Sequence, residues 1–301
     1  MESGRVNSKQ SDETSTMPKP FSSRVDVDVF AISDQGHVRP NNEDHYLVVR
    51  LGRAIETVLS NLTTNQPGYV FDETAHGFIV ADGLGGHSAG EVASQEAIYI
   101  LLNLALHTPD WNFRWGPKER NTVMWRLQDR FRIINAKLLE QATAQASLVG
   151  MSTTLTIALT LGKDLIIAHV GDSRAYLLHE GKLKRLTSDH TLAQRLVDEG
   201  DSASNDPVIF EFRNILMQAL GSEENECRPD VHYHMLTNND QLLICSDGLT
   251  DMVDDRLIEA VMNESTSARF ACRGLVDMAL SNGGRDNVTV IVAKFQIPKE
   301  S

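Results

Sequence analysis

One aspartate sits where an apolar run meets a cluster of glycines: Ile79-Val80-Ala81-Asp82-Gly83-Leu84-Gly85-Gly86-His87. The run reads as a short buried strand over 77–81 that delivers Asp82 to a sharp glycine turn, followed at once by a helix. A carboxylate in that setting is costly unless something cationic meets it. The glycines let the backbone approach a ligand closely, so the Gly83 carbonyl would face it beside the Asp82 carboxylate. Asp-Gly alone is an ordinary turn dipeptide. Its weight here comes from recurrence, because Gly171-Asp172, Asp247-Gly248 and Asp286-Asn287 also fall where apolar runs begin or end.

The rest of the chain supplies strands and helices around these points. Val25, Val27 and Val29 alternate with Asp26, Asp28 and Phe30, a strand pattern, and a second strand follows at 46–49. Residues 50–76 form a long connection with a short helix expected near 54–59. Ala89, Ala93, Ala97, Ile100, Leu101 and Leu104 recur at helical spacing. A connector at 108–120 leads to a second helix over 121–146. Period-two runs then predict strands at 155–161, 165–170, 175–179 and 182–185, joined as consecutive hairpins. A short helix at 191–199 precedes a loop at 200–221. Strands at 231–235 and 241–245, helices at 254–262 and 267–280, and a last strand at 288–293 complete the order.

Runs of strands flanked by helix pairs indicate an α+β domain, two antiparallel β-sheets sandwiched between helical layers. Residues 1–24 hold almost nothing apolar before Phe21 and are expected to form a disordered tail. The folded domain is placed at 25–297, with 298–301 as a short C-terminal end.

Six acids gather at the strand ends: Glu43 and Asp44 before a strand, Asp82, Asp172 and Asp247 after strands, and Asp286 before the last. Antiparallel neighbours place one strand's start beside the next one's end, so all six would converge on one edge of the sandwich. That many carboxylates repel one another when dry. Hard divalent cations resolve the repulsion, since Mg²⁺ and Mn²⁺ favour oxygen ligands. Two such ions about 3.5–4 Å apart activate water and stabilise in-line displacement at phosphorus. Asp82 is the bridging candidate, and Arg39 would offer its guanidinium fork to a phosphate.

Composition limits the alternatives. A net charge of −13 argues against a nucleic-acid or anionic-membrane surface. The three cysteines, Cys227, Cys245 and Cys272, form neither a metal pair nor a disulfide framework, which points to a reducing cytoplasm. No basic-then-apolar leader and no apolar stretch of membrane-spanning length is evident. A monomer is expected.

In order along the chain, Gly36…Arg39…Asn42-Glu43-Asp44, residues 80–87, Gly150-Met151-Ser152-Thr153-Thr154, Gly171-Asp172-Ser173-Arg174-Ala175-Tyr176, Thr187-Ser188-Asp189-His190, Ser246-Asp247-Gly248-Leu249 and Asp286-Asn287-Val288-Thr289 resemble the PP2C (PPM) family of metal-dependent protein serine/threonine phosphatases, bacterial type. The resemblance covers about residues 25–297. It implies a four-layer α-β-β-α sandwich with Mn²⁺ or Mg²⁺ at its edge. Asp82, Asp247 and Asp286 would be direct ligands of a two-metal core, joined by the Gly83 carbonyl. Glu43 and Asp44 would hold metal-bound waters or contact the ions, Asp172 with Asp247 would form a third site, and Arg39 would bind the substrate phosphate. Phosphorylated proteins, and a cognate bacterial Ser/Thr kinase, are the implied partners.

Three positions depart from the family pattern. Ser152 replaces a glycine, Gln218 replaces an arginine before Ala-Leu-Gly, and Leu84 stands where animal members carry a histidine. A non-catalytic relative would be expected to have lost acids, whereas this chain keeps all six. The flap at 200–220 and the 50–76 connection are expected to select the substrate.

Overall fold

The computed structural model describes residues 25–52, 74–85, 89–107, 116–200, 211–222 and 227–298. The expected tail, the helix at 54–59, most of the 50–76 connection, His87 and residues 201–210 of the flap lie outside the described residues.

In chain order the strands are β1 (Asp26–Asp34), β2 (Asp44–Gly52), β3 (Thr74–Leu84), β4 (Ser152–Thr153), β5 (Leu155–Leu161), β6 (Asp164–Val170), β7 (Arg174–His179), β8 (Lys182–Arg185), β9 (Asp230–Met235), β10 (Gln241–Cys245) and β11 (Val288–Gln296). The helices are α1 (Ala89–Leu106), α2 (Pro117–Ala144), α3 (Leu192–Asp198), α4 (Asp247–Thr250), α5 (Asp255–Glu264) and α6 (Ala268–Ser281). One sheet runs β1-β11-β10-β7-β8 and the other β2-β3-β5-β6-β9, with β4 paired to the end of β3. Each described pairing is antiparallel.

Three apolar clusters define four layers. Phe78, Val80, Ala158, Leu165 and Ile167 of one sheet meet Ala175, Leu177, Leu242, Ile244, Ile291 and Phe295 of the other. On the outer side of the first sheet, Ile79, Ala81, Ile157 and Ile166 pack with Ala93, Ala97, Phe131 and Ile134 of α1 and α2. Across the second sheet, Leu243, Cys245, Val290 and Val292 pack with Ile258, Met262, Leu275 and Ala279 of α5 and α6. Small residues on α1 let it lie close against β3, while side-chain caps at Asp254 and Ser267 start α5 and α6 where the sequence places them.

Three local expectations are corrected. β6 and β7 do not form a hairpin, because at Gly171–Ser173 the chain leaves one sheet for the other. The second helix begins at Pro117, before 121, since proline's fixed φ suits a first helical turn. Asp247 begins a four-residue helix that the strand-end reading did not include. All seven residues of β5 are buried, its threonines included, because both faces of this central strand are covered.

Candidate metal centre

Strand alternation decides which side chains near the strand ends enter the site. On β3, Phe78 and Val80 point between the sheets and Ile79 and Ala81 toward the helices. The next step of that period puts Asp82 on the inter-sheet side. Val48 and Asp44 on β2 keep the same relation, and Asp44 is the register partner of Asp82. Ile244 leads to Ser246, Ala175 follows Ser173, and Ile291 follows Thr289. One end of the apolar interior is thereby closed by polar side chains.

Those side chains bond to one another. The Ser246 hydroxyl donates to Asp44 Oδ2 at 2.7 Å and accepts the Thr289 backbone N–H at 2.9 Å. Thr154 Oγ1 accepts the Asp82 backbone N–H at 3.1 Å and lies 2.8 Å from Ser173 Oγ. The Asp82 carbonyl accepts from Thr153 Oγ1 at 2.8 Å. Asn287 fastens the loops above: its amide donates to the carbonyls of Gln35 and Asn41, and its carbonyl oxygen accepts the Glu43 N–H at 2.8 Å.

The structure brings the sequence-expected acids together. Carboxylate oxygens of Asp82, Asp172 and Asp247 all lie within 4.8 Å of one another. These three line a cleft of about 190 Å³ with Arg39, Glu43, Gly83 and Asp286. Asp286 Oδ2 accepts from Arg39 Nη2 at 2.5 Å, so the guanidinium is docked on a candidate ligand. Asp44 lies deeper than the others and is buried beneath the cleft. The Glu43 carbonyl accepts from Gly83 N at 3.2 Å and Ser94 Oγ at 2.6 Å, tying β2 to β3 and to α1.

The glycine turn is displaced from its expected place. β3 continues through Asp82 and Gly83 to Leu84, whose ends pair with β4, and the positive φ of 145° belongs to Gly85. Gly83 is needed for a different reason. A Cβ there would meet the Gly90 carbonyl oxygen at 2.2 Å and that of Glu43 at 2.8 Å.

Burial, followed by the neighbouring carboxylates, pushes Asp82 and Asp247 well above the usual carboxylate range. Burial raises Asp172 to about 7, with Asp189 adding to the rise. It raises Asp44 to about 6, against the opposing bond from Ser246. Burial also raises Glu43. Crowded oxygen ligands, with Arg39 as the one cationic side chain on the cleft wall among the described residues, fit a hard divalent cation.

Four supporting residues, Ser246, Ser173, Thr289 and Asn287, stood in the family motifs without a role of their own being read for them. The signal for that role was available, since Ser246 and Ser173 continue the inward period of an apolar strand past its end and Thr289 keeps it within β11. Among the departures, Gln218 accepts the Arg228 N–H at 3.1 Å, and Ser152 Oγ donates to the Leu84 carbonyl at 3.4 Å. His190 Nδ1 accepts the Gly171 N–H, and the Gly171 carbonyl accepts the His190 N–H, a structural role. Cys245 is buried and its thiol pushed up to about 12, which leaves it inert.

Residues 57–288 match the family model described as Protein phosphatase 2C. The chain is 36% identical over 264 residues to the serine/threonine protein phosphatase PstP of Mycobacterium tuberculosis, covering 87% of this chain and 44% of that protein. It therefore spans less than half the length of that relative. The serine/threonine phosphatase stp of Listeria welshimeri is 32% identical, over 87% of this chain and 93% of its own. The crystal structure of the catalytic domain of PstP in complex with two manganese ions superposes with a TM-score of 0.69 at 33% identity, covering 90% of this chain and 99% of that one. By its family model, its relatives and its two-sheet architecture, the chain belongs to the protein phosphatase 2C family.

Proposed function

We propose that this chain is a metal-dependent protein serine/threonine phosphatase, with its catalytic domain at 25–297. The supporting observation is the meeting of Asp82, Asp172 and Asp247 within 4.8 Å, beside the Arg39–Asp286 pair. Bound in this cleft, two Mn²⁺ or Mg²⁺ ions supply the Lewis acidity that activates water for in-line attack at phosphorus. Asp82, Asp247, Asp286 and the Gly83 carbonyl are the residues proposed to hold them, with Asp172 and Asp247 serving a third ion.

The remaining chemistry belongs to the protein. Arg39 binds the phosphate: its guanidinium has five donors, of which the Nη2 side meets Asp286, and its side chain is 52% exposed at the cleft mouth. Glu43 on the cleft wall and Asp44 beneath it would hold metal-bound waters or contact the ions, and Ser246 fixes the orientation of Asp44. Substrates are phosphorylated proteins, supplied by a cognate Ser/Thr kinase, and the working unit is a cytoplasmic monomer. No helix among the described residues is long and apolar enough to cross a membrane.

The test is hydrolysis of p-nitrophenyl phosphate with Mn²⁺, with Mg²⁺ and with EDTA, run beside Asp247→Asn. Metal-dependent turnover that disappears in the variant is the expected result. Folded protein without turnover in either metal would point to a binding-only member of the family.

A further inference from the structure

Asp82 is carried on β3 and Asp247 on α4, but Asp172 lies in the crossover between β6 and β7, outside both sheet ladders. The turn that presents it needs other support. Gly171, immediately before it, has a φ of 114°, and histidines hold both of its polar groups. Its N–H donates to His190 Nδ1 at 3.2 Å. Its carbonyl accepts from His169 Nε2 at 2.9 Å and from the His190 backbone N–H at 2.7 Å. On the far side of Asp172, Ser173 Oγ lies 2.8 Å from Thr154 Oγ1.

These supports meet at His190. A backbone N–H can only donate, so Nδ1 is the acceptor and the ring proton sits on Nε2, which faces Asp230 Oδ2 at 3.2 Å. The His190 side chain is only 9% exposed, and its ring lies 4.9 Å from that of His169, centre to centre. Its backbone is fixed separately, with the N–H on the Gly171 carbonyl and the C=O accepting the Met217 N–H at 2.7 Å. A change of the ring therefore leaves the main-chain anchors of this segment in place.

We propose, resting on the metal-binding part of the reading above, that His190 is a positioning residue for Asp172. Its neutral ring, kept in one tautomer by Asp230, fixes the Gly171 peptide and through it the carboxylate offered to a divalent cation. His190 acts on the ion only through Asp172. Groups that orient a ligand set metal affinity without touching the metal.

Mn²⁺ binding at equilibrium, read from the EPR signal of the free ion, tests this without turnover. Asp172→Asn should remove or weaken one bound Mn²⁺. His190→Gln, whose amide extends toward Asp230 but offers no acceptor at the Nδ1 position, should weaken the same ion about tenfold, the lower end for groups that orient a ligand. His190→Asn places a side-chain oxygen at the Nδ1 position and should recover most of that loss.

The decisive comparison is the double-mutant cycle. On the Asp172→Asn background, His190→Gln should change Mn²⁺ binding no further. A general loosening of the fold would lower binding on both backgrounds, and a full second loss there overturns the proposal. So does wild-type binding by His190→Gln, or a loss in His190→Asn as large as that in His190→Gln. Unchanged Mn²⁺ binding by Asp172→Asn would remove Asp172 from the ligands, and this inference with it. A wild type that shows the coupling but hydrolyses no p-nitrophenyl phosphate would overturn the phosphatase reading and leave the role of His190 standing.

Discussion

Asp44 and Asp82 stand directly opposite each other on adjacent antiparallel strands, both turned into the space between the sheets. Like charges placed so are destabilising, and burial raises the pKa of both groups. The fold therefore carries a cost at this pair that a bound cation would offset.

Asp82→Asn should separate stability from activity. Replacing the carboxylate by a neutral amide removes the need either to ionise or to protonate it inside the cleft. In EDTA at neutral pH the variant should be more stable than the wild type, by about 1–2 kcal/mol. Its phosphatase activity with Mn²⁺ should be lost. Urea unfolding in EDTA measures the first and p-nitrophenyl phosphate the second; a variant less stable than the wild type in EDTA would sink this account of the pair.

Ser246→Ala removes two bonds at once. It strips Asp44 of its hydroxyl donor and leaves the buried Thr289 N–H without its acceptor. The orphaned N–H should cost about 1–3 kcal/mol of stability. Loss of the group that orients Asp44 should lower kcat roughly 10–100-fold. Ser246→Thr, which keeps the hydroxyl, should recover part of the activity. Equal kcat in wild type and Ser246→Ala would show that the hydroxyl does not orient the acid.

How much of this was legible in the sequence divides along a physical line. The strands and helices were readable because burial on one or two faces imposes a period, and six acids at strand ends marked the site. The partition of strands between two sheets was not. Nothing local in Gly171-Asp172-Ser173 says that the chain leaves one sheet there, since a hairpin and a crossover use the same turn residues. The glycine of Asp82-Gly83 was read as a turn because its own conformation was considered. The close passage of α1 and of the Glu43 carbonyl is a tertiary fact, and it alone explains why no side chain fits.

Gly83→Ala tests that packing reading. The added methyl would lie 2.2 Å from the Gly90 carbonyl oxygen, a backbone atom that moves only if the start of α1 moves. The cost expected is about 2–3 kcal/mol or more, in the range of overpacked core sites. The displacement also reaches the carbonyl assigned to the metal, so the Mn²⁺ concentration for half-maximal activity should rise. A variant with unchanged melting temperature would mean that the strand and helix separate more easily than this contact implies.

His169 gives the fold a pH dependence of definite sign. It is buried, donating from Nε2 to the Gly171 carbonyl at 2.9 Å and accepting at Nδ1 from Thr156 Oγ1 at 2.8 Å. The bond accepted at Nδ1 requires the neutral ring, and burial, reinforced by His190, lowers its pKa to about 3 from 6.5. The unfolded chain takes up this proton near 6.5 while the folded chain refuses it. The stabilisation is therefore complete above 6.5 and is lost progressively as pH falls from 6.5 toward 3. Between pH 7.5 and 5 this single group should remove about 2 kcal/mol. The raised carboxylates act in the opposite direction, gaining stability as pH falls, so the wild type's net slope is a sum. Comparison with His169→Gln isolates the histidine: the variant is less stable at pH 7.5, and the gap narrows by about 2 kcal/mol at pH 5. Urea unfolding of both proteins at pH 7.5, 6 and 5 reads the gap directly. A gap that stays constant across the three would mean that His169 accepts its proton in the folded state.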